Sequence, residues 1–256
     1  MPAQEGQGVE AAMEELLLRV VPELAEQWKG ATPDAIARIE RIAGRPLPPF
    51  YRWFLNRMGQ SMGRLAYPTL DFSAQRVLER YTEEWVEPHP RLLLIAHDSK
   101  EMMPTSLFYD LDAPARGDAL VAAKEEGGDE DDLYERFETL REMLAWSALS
   151  RFRLNKMPQR CGGTFSGDHP EILALVEPVM SSLGFKQPIS TGPYCGLYER
   201  ADAAMICKGM PRHGLDGARS FELGGSNAGV LRKILGEIAT ASSLKVEVDE
   251  WAPALA

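Results

Sequence analysis

Residues 32–59 read T-P-D-A-I-A-R-I-E-R-I-A-G-R-P-L-P-P-F-Y-R-W-F-L-N-R-M-G. Thr32 stands where it can cap a helix whose first position is Pro33, a place where a missing N–H costs nothing. Ile36, Ile39, Ile42 and Ala43 then fall along one face, and Gly44 ends the helix. In Arg45-Pro46-Leu47-Pro48-Pro49 each proline drives its predecessor out of the α region, so the chain turns a rigid corner. Pro48 or Pro49 suits the first turn of a second helix, which carries Phe50, Trp53, Phe54 and Met58. Gly59 is expected to close it in the left-handed conformation. Burying each large apolar side chain is worth roughly 1.5–3 kcal/mol, so this helix pair needs a platform, and a sheet is the expected one.

Upstream, Met13, Leu16, Leu17, Val20, Val21, Leu24 and Trp28 are at helical spacing, with Pro22 kinking or dividing the segment. Its Glu-rich polar face argues for core or partner packing rather than a membrane surface. A short strand is expected at 65–70 and a helix at 75–81. Glu87-Pro88-His89-Pro90 is a stiff connector. Leu92 to Ala96 reads as a buried strand closing on the turn His97-Asp98-Ser99-Lys100. Strands at 106–110 and 118–123, separated by a loop at 112–117, complete a meander. An acidic loop follows at 125–132, then Leu133, Phe137, Leu140, Met143 and Leu144 are placed on a closing helix.

Pro158 and Gly162-Gly163 mark the expected boundary between a first domain at 1–155 and a second at 164–256. In the second, Asp168 and Glu171 fit a capping box for a helix bent by Pro178 and ending at Gly184. A hairpin at 194–208, a strand at 220–223, a helix at 230–241 and a strand at 244–248 follow. The fold class is α+β: helices packed on an antiparallel sheet, then a smaller α+β domain.

The 256 residues carry a net charge of −10, unevenly distributed. Up to Ser150 there are 27 Asp and Glu against 16 Lys and Arg, a net of −11; residues 151–256 have 11 against 12, a net of +1. Such a first domain repels nucleic acid and anionic membranes and favours encounter with basic proteins. The start, M-P-A-Q-E-G-Q-G-V-E, has neither the basic residues nor the apolar run of a signal peptide, and three unevenly spaced cysteines do not make a disulfide framework. A cytoplasmic location is expected.

The residue types that carry chemistry do not assemble into a motif. Gly224-Gly225-Ser226-Asn227-Ala228-Gly229 precedes a helix, but Val230 and Leu231 stand where a phosphate loop needs Lys and Ser or Thr. Ser166, Asp168 and His169 are triad types explained better by helix capping. The histidines and cysteines lack metal-ligand spacing, and the acidic loop lacks the alternating ligands and central glycine of a calcium loop. No catalytic residue, metal or cofactor is assigned. Cys195 and Cys207 are expected as buried free thiols. Arg52, Arg57 and Arg64 are expected to rim the aromatic helix rather than read phosphates.

In Ile39-Glu40, Gly44, Leu47-Pro48, Tyr51, Phe54-Leu55 and Met58-Gly59, the chain resembles the SUKH superfamily, which includes fungal cell-wall synthesis regulators and many bacterial toxin-immunity proteins. Met58 stands where that family has Asn. Leu92–Asp98 is similar to the family's strand entering an Asp-Gly turn, here with Ser99 in place of Gly; 107–111 is similar to its next strand and 137–144 to its closing helix. The resemblance covers about residues 31–150. It implies a non-enzymatic immunity protein that binds and neutralises a cognate toxin; the acidic charge adds that the toxin is basic, which favours a nuclease without requiring one, and that neither nucleic acid nor membrane is the partner. An intracellular regulator or scaffold is the alternative, and an enzyme in the second domain the third reading. Glu125, Glu126, Asp129, Glu130, Asp131 and Asp132 are the expected partner-binding residues.

Overall fold

The computed structural model describes residues 3–98, 104–125, 127–128, 132–209 and 217–253, with side chains from Glu10 onward. It is an α+β fold, dividing into two compact units at Leu144/Ala145. Ala145–Ser150 carry no charge, so the imbalance noted in the sequence coincides with this division: −11 in 1–144 and +1 in 145–256.

Unit 1 begins with α1 (Ala3–Val20) and α2 (Leu24–Gln27), separated at Pro22. Trp28, expected on the helix, instead opens β1 (Trp28–Lys29), because the chain leaves the helix to pair with β2 (Ser61–Met62). α3 (Pro33–Ala43) starts as expected: Thr32 Oγ1 accepts the Ala35 amide at 3.2 Å, and Gly44 ends it at φ +65°. α4 (Pro49–Met58) buries Phe50, Tyr51, Phe54, Leu55 and Met58. Gly59 corrects the expectation, since its φ is −68°. The glycine is needed for space instead: a Cβ there would lie 2.5 Å from the Leu55 carbonyl oxygen and 2.8 Å from the Ala31 methyl.

The expected strand at 65–70 shrinks to β3 (Leu70–Asp71), after a 3-10 turn at Gly63–Leu65. α5 (Ala74–Thr82) is capped by the Ser73 hydroxyl. β4 (Leu92–Asp98) is buried throughout, and His97 and Asp98 belong to it rather than to a turn, with His97 Nδ1 at 3.0 Å from the Ser106 hydroxyl; Ser99 and Lys100 lie outside the described residues. β5 (Thr105–Ala115) and β6 (Asp118–Glu125) form a longer hairpin than expected, turning on Arg116 (φ +48°) and Gly117 (φ +75°) alone. Pro114 fits within the strand because pairing with β6 shifts register between Asp110 and Pro114. Residues 134–137, expected on the closing helix, form β7 (Tyr134–Phe137). The helix, α6 (Leu140–Phe152), starts only where Thr139 Oγ1 accepts the Glu142 amide.

The five strands are antiparallel in the order β3-β4-β5-β6-β7, with α3 and α5 against β4 and α4 against β6. Tyr51 of α4 meets Tyr109 of β5 edge-on at 5.0 Å. The prolyl corner is tied down by Arg45, which donates to the carbonyls of Pro90 and Leu111 and pairs with Asp112 at 2.8 Å.

Unit 2 contains the second half of α6. The expected linker glycines lie instead inside β8 (Gln159–Ser166). They serve close packing of strands, since a Cβ on Gly163 would overlap the Glu247 carbonyl. α7 (Ile172–Ser182) begins after Pro170, three residues later than the Asp168 cap predicted, because His169 precedes a proline and is held out of the helix. Its end, with Gly184 at φ +79°, is as read. β9 (Cys195–Arg200), β10 (Ala203–Lys208) and β11 (Ala218–Gly225) form a meander, α8 (Ala228–Ser242) is capped by Asn227, and β12 (Lys245–Ala252) completes an antiparallel sheet ordered β12-β8-β11-β10-β9. α7 and α8 bury a core containing Phe165 stacked on Phe221 at 4.3 Å, and Cys161, Cys195 and Cys207 are buried and free.

Candidate functional site

The acidic segment joins β6 to the edge strand β7. Glu125 ends β6 and is exposed, as is Asp132. Gly127 takes φ +83°, and the Gly128 amide donates to the Glu125 carbonyl at 3.1 Å, so the chain reverses tightly after the strand. A Cβ on Gly128 would lie 3.1 Å from Asp132 Oδ2, which brings the two described ends of the segment together. Glu126, Asp129, Glu130 and Asp131 lie outside the described residues.

Behind the β5–β6 turn is a buried polar network that the sequence did not single out. Asp118, 2% exposed, accepts the amides of Ala119 at 2.9 Å and Arg141 at 3.0 Å. The Tyr109 hydroxyl faces the same carboxylate, and Asp118 is pushed up to about 6 by burial, against which these hydrogen bonds act. Arg141 donates to the Arg116 carbonyl at 3.1 Å and its guanidinium lies 5.7 Å from the Phe50 ring centroid. Arg116 in turn pairs with Glu138 at 3.0 Å and with buried Glu142 at 2.6 Å. The Phe50 amide donates to Gly117, so the turn holds the starts of both α4 and α6. Partners 23 residues apart in sequence, Asp118 and Arg141, give no local signal.

A cleft of about 470 Å³ opens between α3 and α5, with Ala31, Ala35, Ala74 and Leu78 among its apolar lining and Asp34, Glu79 and Glu83 among its charged residues. On the aromatic helix Arg52 pairs with Glu40 and Arg57 with Glu14 at 3.2 Å, and Arg64, in the 3-10 turn beyond it, pairs with Glu23 at 3.2 Å.

In unit 2 a cleft of about 410 Å³ holds Ser150, Asn155, Arg160, Cys161, Glu222 and Glu250. Glu222 and Glu250 are the register partners of Gly162 on either side, so two carboxylates flank a residue with no side chain. Burial, then the Glu250 charge, raises the Glu222 pKa, while the Ser150 hydroxyl at 3.3 Å and Arg160 oppose the rise. Such a carboxyl can exchange a proton or hold a cation. Cys161 beside it is pushed up to about 12 by burial and is no thiolate at neutral pH. The pairing was hidden in the sequence because Gly162 reads as a linker and its neighbours lie 60 or more residues away.

The glycine-rich loop before α8 is shorter than its sequence suggests, as Gly224 and Gly225 belong to β11 and the Asn227 side chain already occupies the Val230 amide at 3.0 Å. His169 Nδ1 accepts the Glu171 amide at 3.1 Å, a local turn and not a triad contact. Among the described residues no three His, Cys, Asp or Glu side chains are grouped to hold a metal ion, and no helix is long and apolar enough to cross a membrane. No protein-family profile matches the chain, and no curated protein matches it at a significant level.

Proposed function

We propose that this chain is an immunity protein whose acidic first unit binds a basic toxin and occupies the surface the toxin uses for its substrate. The observation that carries this reading is the charge division: unit 1 has 27 acidic against 16 basic residues, and unit 2 has 11 against 12. A nuclease toxin is basic because its substrate is polyanionic, so an acidic inhibitor gains association rate and competes for the phosphate-binding groove. Further support comes from the SUKH resemblance, whose helix–corner–helix and antiparallel strands have counterparts in α3, α4, β4 and β5. The acidic segment at 125–132, which follows β6 in the chain, is the first contact on this reading.

The test is to express the product of a toxin gene adjacent to this one in a sensitive host, with and without this chain. Survival only in its presence, with a complex recovered in vitro, is the expected result. Equal killing in both cases and no complex would contradict the immunity reading and favour a regulator or scaffold.

A further inference from the structure

We propose that the C-terminal end of α5, centred on Trp85, is a docking surface for a lysine- or arginine-bearing segment of a protein partner. This rests on the reading of unit 1 as an acidic protein binder and names a second contact for it, apart from the 125–132 segment.

Trp85 is 62% exposed; among the described side chains the other exposed large apolar residue is Leu18, at 40%. An exposed tryptophan on a mobile loop would carry little information, but this one is fixed. The amides of Glu83 and Glu84 donate to Glu79 and Tyr81 at 2.8 and 3.3 Å, and those of Trp85 and Val86 both donate to the Arg80 carbonyl at 3.1 and 3.2 Å. Glu84 adopts φ +59°, a left-handed conformation uncommon for a residue other than glycine, and this folds the chain back over the helix end. Arg80, only 6% exposed, sets its guanidinium 4.7 Å from the Trp85 ring centroid and supports the ring from beneath. An aromatic anchor held in this way loses little conformational entropy on binding, the property that makes tryptophan prominent among interface hot spots.

The surroundings specify the partner's charge. Thr82 and Glu83 also line the cleft between α3 and α5, whose apolar floor includes Ala35, Ala74 and Leu78. Exposed Asp34 and Glu83 and half-buried Glu79 line the cleft together with Arg38, its basic residue, and in the chain Trp85 stands between exposed Glu83 and Glu84 on one side and exposed Glu87 on the other. A tryptophan flanked in the chain by exposed glutamates, at the end of the helix that walls an acidic cleft, selects an apolar contact flanked by cations and repels an acidic segment.

The experiment pans a phage-displayed library of random dodecapeptides on the full-length chain at low salt, then measures the enriched peptides against variants. Enriched sequences should carry Lys or Arg on either side of an apolar residue. Trp85→Ala should weaken them about tenfold or more, as truncation of an interface anchor does. The triple change Glu83→Gln, Glu84→Gln, Glu87→Gln should weaken them and flatten their salt dependence, with thermal melting unchanged in both variants. If the alanine variant melts early, Trp85→Gln replaces it. No enrichment above the bare support, enrichment of acidic peptides, or equal binding to wild type and the Trp85 variant would overturn the proposal. Peptides that bind through Trp85 while the chain fails to protect against the toxin would leave the surface standing and remove the immunity reading. Protection in the absence of any such peptide would do the reverse.

Discussion

Phe54 sits fully buried between Tyr51, whose ring is 6.0 Å away, and Phe72, which meets it edge-on at 6.1 Å. Truncation to alanine opens a cavity in a place walled by aromatic rings, and Phe54→Ala is expected to cost about 3–5 kcal/mol in urea denaturation. An unchanged denaturation curve would contradict the packing. Asp118 makes a different prediction, in the pH dependence of stability. Its folded-state pKa, about 6, lies above the ordinary aspartate value. Below about pH 4 both states are protonated and burial is tolerated; as pH rises toward 6 the unfolded chain ionises first, and the Asp118 contribution is lost. Asp118→Asn removes this titration while disturbing the two amides the carboxylate accepts. The stability advantage of wild type over the variant should therefore narrow between pH 4 and pH 7; a constant difference would show that Asp118 is already ionised throughout.

Among the elements, those whose signals are local were legible. The Thr32 cap, the Pro33 start, the Gly44 stop and the continuous apolar run of β4 each state their conformation within a few residues. Elements shaped by distant neighbours were not. β7 exists because Tyr134–Phe137 pair with β6, and β8 because two glycines allow β12 to approach; both were misread from local composition. The polar clefts and the Asp118 network were illegible for the same reason, since their members come from separate strands and helices. The glycines themselves permit a test. Gly44 is left-handed with open space around it, so Gly44→Ala should cost about 1–2 kcal/mol of backbone strain. Gly163→Ala places a methyl group on the Glu247 carbonyl and should cost more, with amide exchange quickening along β8 and β12. If the two variants denature alike, β12 does not pack on β8 as described.

Over the whole molecule, the strongest asymmetry is electrostatic. A unit at −11 followed by one at +1 is not required by either fold, since both sheets and their cores are apolar-packed. On the proposed function the excess charge serves encounter with a basic protein, through the 125–132 segment first and the Trp85 surface second. Steering of this kind acts over the Debye length, about 10 Å at 0.1 M salt, and fades as salt rises. The most direct measurement is the association rate between the chain and a purified, catalytically inactivated candidate toxin encoded beside it, followed by stopped flow as ionic strength is raised. The expected rate falls steeply with salt. A lower rate and a shallower slope are expected when Glu125, Glu126, Asp129, Glu130, Asp131 and Asp132 are changed to Gln or Asn with stability unchanged. Absence of a complex, or a rate indifferent to both salt and the six substitutions, would contradict the proposed function.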